Sequence, residues 1–123
     1  MSPSKRSSER TRTLRLAFKL SSDTLKNPSF NTYLDIGCGN FDITTEISAF
    51  IHSSRTYAAD ILPCPKNLPS SLTYIFVENS HIPLPDNSID FITCFMSIHH
   101  FSDIPVMLTE ISRVLKPDGY LYI

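Results

Sequence analysis

The 123 residues are enough for one domain. Hydrophobic residues make up 41% and charged residues 19%, which fits a packed globular core and excludes a disordered chain. The apolar runs are too short to cross a bilayer and no secretory signal is expected, so membrane-spanning and secreted classes are set aside.

Cys38, Cys64 and Cys94 are odd in number and widely spaced. They form neither a disulfide ladder nor a zinc pattern, so reduced thiols in a cytoplasmic or nuclear setting, and no metal site, are expected. The small net charge hides an asymmetry. Residues 1–19 carry Lys5, Arg6, Arg10, Arg12, Arg15 and Lys19 against Glu9, a net +5, and the remainder carries −6. A basic head on an acidic body suits either a solvated terminus or contact with nucleic acid.

Residues 1–20 read as a basic segment, disordered over 1–12 and partly helical around Leu14, Leu16, Ala17, Phe18 and Leu20. Ser21 to Asn31 reads as loop. Residues 21–123 read as one folded domain. Tyr33 to Ile36 is a short buried strand cut off by Gly37. Ile43, Ile47, Phe50 and Ile51 recur on one helical face, with Asp42 and Glu46 toward the helix start. Thr56 to Asp60 is a second strand and Leu72 to Val77 a third, with Pro63, Pro65 and Pro69 leaving little room for a helix between them. Pro83 and Pro85 hold a loop before a fourth strand, Ile89 to Met96. Asp103 caps a helix whose core face is Met107, Leu108, Ile111, Val114 and Leu115. Lys116 to Gly119 stops it, and Tyr120 to Ile123 begins a fifth strand. Strands separated by crossovers predict an α/β, doubly wound parallel sheet that binds ligand at the carboxyl ends of its strands.

Gly37-Cys38-Gly39 falls at such an end. Glycine permits positive φ and close backbone approach there, although an ordinary strand-to-helix turn has the same residues. Asp60 ends the second strand, where an acid can accept both ribose hydroxyls or simply be solvated. A dinucleotide site needs a third glycine at position 42, and Asp42 stands there instead. Asp42 and Asp35 disfavour a pyrophosphate and suit a cationic ligand such as a sulfonium.

Leu34-Asp35-Ile36-Gly37-Cys38-Gly39-Asn40 resembles the first motif of class I S-adenosylmethionine-dependent methyltransferases. Glu78 to Asp90, Ile98 to Phe101 and Glu110 to Gly119 are similar to later blocks of the branch called methyltransferase type 11. The resemblance covers residues 33–123. It implies a Rossmann-like sheet of order 3-2-1-4-5, S-adenosylmethionine as cofactor, and methyl transfer to a small molecule. RNA is the second acceptor class, reached through the basic head.

The resemblance also implies roles. Asp35 orders the glycine loop and helps hold the cofactor's ammonium. Gly37, Cys38 and Gly39 pass its methionine part along their backbone. Asp60 binds the ribose and Ile61 packs on the adenine. Glu78 faces the adenine amino group, and Asn79 offers its backbone beside the ring. Cys94 and Phe95 close the pocket near the sulfonium. His99 is a base or substrate contact, with a structural role for His99 and His100 left open.

Three departures stand out. Phe41 replaces the family's small residue, and either narrows the site or turns outward. Glu78 is one methylene longer than the usual Asp. The family continues beyond the fifth strand, so a truncated domain, or one completed by a second chain of the same or another kind, is expected. An inactive cofactor-binding module is the alternative to an enzyme. A nicotinamide-dependent oxidoreductase is disfavoured by Asp42.

Overall fold

The computed structural model describes residues 30–38, 41–94 and 101–123. The expected disordered and helical segments of residues 1–20, the start of the loop over 21–31, and the end of the fourth strand lie outside them. The elements run β1 (Thr32–Ile36), α1 (Asp42–Phe50), β2 (Arg55–Asp60), β3 (Leu72–Phe76), β4 (Ile89–Thr93), α2 (Ile104–Val114) and β5 (Leu115–Tyr122). All strand pairs are parallel, in the order β3-β2-β1-β4-β5. The winding direction reverses between β1 and β4. That reversal opens a crevice at the carboxyl ends of the central strands.

Side-chain alternation divides the core between the two faces of the sheet. Tyr33 and Phe91 face α1 and pack with Ile47 and Ile51. Leu34, Ile36 and Ile92 face α2 and pack with Met107, Ile111 and Val114. Each of these buried α2 side chains contributes about 2 kcal/mol by leaving water. Asp103 caps α2 as predicted, its carboxylate accepting the Val106 N–H at 3.1 Å. No helix among the described residues is long and apolar enough to cross a membrane.

Three expectations need correction. Leu108 is exposed rather than part of the core face. It follows the buried Met107 by one position, so it points about 100° away around the helix. Leu115 is not helical: at φ −74°, ψ 134° it already starts β5. Lys116 to Gly119 therefore do not lie before the strand but inside it. The register jumps from Ile89 opposite Leu115 to Phe91 opposite Tyr120, and the four intervening residues bulge outward. Lys116 Nζ closes the bulge on Asp90 Oδ1 at 2.9 Å. Gly119 is required for the close approach, because a Cβ there would stand 2.7 Å from Leu115 Cδ1 and 3.0 Å from the Asp90 carbonyl oxygen. Beyond the bulge, edge strand β5 leaves Tyr120, Leu121 and Ile123 exposed.

Candidate functional site

The carboxyl end of β1 is fastened to the end of β2. Gly37 turns the chain with φ 76°. The Gly37 and Cys38 N–H groups both donate to the Ala59 carbonyl, at 2.7 and 3.3 Å. These two amides face into the sheet. Cys38 is buried, and that burial, followed by the charges of Asp35 and Asp60, pushes its thiol up to about 12, so it stays protonated and unreactive.

Phe41 is the N-cap of α1 and adopts a left-handed conformation, φ 72°. This is the backbone geometry that glycine tolerates and a bulky residue resists. The ring does not turn outward. It is buried beneath the turn, packed with Cys38, Ala58 and Leu72. Apolar burial offsets the backbone strain.

Asp35 is 3% exposed, in the middle of a central strand. A carboxylate there has to be hydrogen-bonded, and two hydroxyls supply this. Thr44 Oγ1 donates to Oδ2 at 2.5 Å and Thr93 Oγ1 to Oδ1 at 2.9 Å. The Tyr33 phenol lies 2.6 Å from Thr93 Oγ1. Because the Thr93 proton is directed at Asp35, Tyr33 donates to Thr93. Burial, and then the Asp35 charge, hold the phenol well above its usual range and keep it protonated. The chain Tyr33–Thr93–Asp35–Thr44 thus ties β1, β4 and α1 together directly beneath the turn. Sequence reasoning singled out Asp35 but missed its partners. The need for donors was legible, since a buried strand acid requires them, but which hydroxyls supply them depends on the packing of β4 and α1 on β1.

Asp60 ends β2 half-exposed, its Oδ1 accepting the Ile61 N–H at 2.7 Å. Ile61 and Leu62 follow it, and Phe76 ends β3; all three are exposed apolar groups. The Tyr74 hydroxyl donates to the Leu62 carbonyl and holds that loop against β3. The Val77 N–H donates to the Asp60 carbonyl at 2.9 Å, which brings the next segment alongside. Glu78 to His81 is a tight turn closed by His81 N–H on the Glu78 carbonyl at 3.0 Å. Its central residues, Asn79 and Ser80, both have φ 55°. Asn79 is exposed in this turn. Phe76, Glu78, Asn79, His81 and Pro83 line an open cavity of about 450 Å³. Cys94 is wholly buried in the core on the α2 side. Gly39, Asn40, Phe95, His99 and His100 lie outside the described residues.

The methyltransferase-domain family model matches residues 34–123. A demethylmenaquinone methyltransferase of Staphylococcus haemolyticus is 29% identical over 72% of this chain and 40% of its own length. A mitochondrial protein of Danio rerio, named arginine-hydroxylase NDUFAF5, is 30% identical over 74% of this chain and 29% of its own. Among solved structures, an S-adenosylmethionine-dependent methyltransferase of Aquifex aeolicus superposes with a TM-score of 0.63 at 30% identity. That superposition covers 73% of this chain and 53% of the other. The chain thus spans less than half the length of these two curated relatives and about half of the Aquifex chain.

Proposed function

The chain belongs to the methyltransferase-domain family, whose cofactor is S-adenosylmethionine, and on that premise we propose that it binds this cofactor across the carboxyl ends of β1 to β4 and transfers a methyl group to a small molecule. The observation that carries this reading is the buried Asp35 network under the glycine turn, beside Asp60 at the neighbouring strand end. The residues fit the cofactor. Acids at this end suit a sulfonium and an ammonium, and Asp42 in the first turn of α1 opposes a pyrophosphate. Exposed Ile61 and Phe76 offer apolar surface to a flat base.

Bound there, S-adenosylmethionine supplies a methyl group already activated on a sulfonium. The chain's own task is then to align, exclude water and manage one proton. Asp35 orders the turn through its two threonines, and its negative charge favours the ammonium from beneath. Gly37, Cys38 and Gly39 pass the methionine part along their backbone. Asp60 accepts from the ribose hydroxyls, and Ile61 packs on the base. Glu78 accepts from the adenine amino group beside the Asn79 backbone. Cys94, through its backbone, and Phe95 close the pocket near the sulfonium. His99 contacts the acceptor or takes its proton.

A small-molecule acceptor is favoured over RNA by the relative named for demethylmenaquinone. The free thiols Cys38, Cys64 and Cys94 suit a reducing, cytoplasmic setting. Methyl-labelled cofactor offered with separated small-molecule and RNA fractions tests the assignment. Label is expected in the small-molecule fraction. Label in RNA, lost on deletion of residues 1–20, would replace it with an RNA acceptor. Cofactor binding with no transfer to either would replace it with a binding module.

A further inference from the structure

The turn carrying Glu78 and Asn79 is not held by the sheet alone. Two side chains of α2 reach across and take over the backbone of the segment that follows it. Glu110 Oε2 accepts the Ile82 N–H at 2.9 Å, and Arg113 Nη2 donates to the Ile82 carbonyl at 2.7 Å. Both polar groups of Ile82 are therefore satisfied by one helix, as a neighbouring strand would satisfy them. Arg113 Nη1 donates to the Leu84 carbonyl at 2.9 Å and to Asp86 Oδ1 at 2.7 Å. His81 Nδ1, at the end of the turn, lies 3.1 Å from Glu110 Oε2. The two α2 side chains also lock each other, Arg113 Nε to Glu110 Oε1 at 2.9 Å and Nη2 to Oε2 at 3.0 Å. A planar guanidinium fixes these acceptors in one geometry, which a flexible ammonium cannot do.

We infer that Glu110 and Arg113 are positioning residues for base recognition: clamping Ile82 sets the place of the Glu78–His81 turn, and so the ability of the cavity beside it to distinguish a 6-amino purine from a 6-oxo purine. This rests on the proposed function, in which Glu78 accepts from the exocyclic amine. A carboxylate favours the amino group and is repelled by a carbonyl oxygen, so the preference depends on where that carboxylate stands.

The test measures dissociation constants of the full chain for S-adenosylhomocysteine and for its inosine counterpart. The variants are Arg113→Lys, Glu110→Gln and the packing control Ile111→Val, with a thermal melt for each. Wild type is expected to prefer the adenosine compound by at least about tenfold, one hydrogen bond's worth. Arg113→Lys and Glu110→Gln should bring the ratio close to one. Ile111→Val removes a buried methylene from the same helix and should lower the melt while leaving the ratio intact. If Glu110→Gln melts below the assay temperature, Arg113→Lys decides alone. A wild-type preference that survives in the clamp variants overturns the inference and leaves the proposed function standing. Wild type that binds neither compound, or both equally, overturns the reading of the site and the inference with it.

Discussion

Replacing Thr93 with valine tests the network beneath the glycine turn. Thr93 is fully buried, and valine has nearly its shape, so the change deletes a hydroxyl and little else. Two bonds are lost together. The bond to Asp35 Oδ1 has a charged acceptor and is worth about 1.5–3 kcal/mol. The Tyr33 hydroxyl loses its 2.6 Å acceptor inside the core, a cost of about 1–3 kcal/mol. Thr93→Val should therefore destabilise by about 2.5–6 kcal/mol. With a urea slope of about 2 kcal/mol/M, the unfolding midpoint falls by about 1–3 M. Thr93→Ser keeps the hydroxyl and loses one methyl, so it should cost only about 1 kcal/mol. Tyr33→Phe should cost about 1 kcal/mol in the wild type but regain about 1–3 kcal/mol in the Thr93→Val background, where it removes the unpaired phenol. Equal costs for valine and serine, or additive costs for Tyr33→Phe and Thr93→Val, would refute the network.

Phe41→Gly relieves a left-handed φ worth about 1–2 kcal/mol but empties a buried ring site worth about 3–5 kcal/mol; urea unfolding should show a net loss of about 2 kcal/mol, and a gain would mean the ring is not packed as described. Gly119→Ala places a methyl against the Asp90 carbonyl and should cost about 1–3 kcal/mol by the same measurement, whereas a neutral effect would argue against the β5 bulge. Glu110 is held down to about 2 from an ordinary 4.5, chiefly by the Arg113 hydrogen bonds. The unfolded chain therefore takes up the proton first, so the stabilisation is fully present above about pH 4.5 and drains away toward pH 2. In urea titrations across pH 2–6, Glu110→Gln should be less stable than wild type at pH 6 and converge with it near pH 2. A gap that stays constant would contradict the clamp.

The sheet was legible because its signals are local. Tyr33 to Ile36, cut off by Gly37, reads as a buried central strand, and the Asp103 cap reads directly from residue type. The order 3-2-1-4-5 came from resemblance, since parallel pairing leaves no turn signal to read. The bulge in β5 was not legible, because Lys116-Pro117-Asp118-Gly119 has the composition of a helix stop. Only the tertiary pairing of Asp90 with Lys116 shows that it interrupts a strand. Phe41 was legible as an oddity but not as a solution, since the space it fills is made by Ala58 and Leu72 from other strands. For the same reason Thr44, Thr93 and the Glu110–Arg113 pair escaped notice. Each acts across more than one element, and no spacing within one element reveals it.

Calorimetric titration with S-adenosylmethionine, of wild type and of Asp60→Ala, tests the central claim most directly, with NAD as the comparison ligand. Wild type should bind S-adenosylmethionine and not NAD. Asp60→Ala should weaken that binding by about tenfold or more, through loss of two hydrogen bonds to a charged acceptor. No binding by wild type, or binding that Asp60→Ala leaves unchanged, would contradict the account.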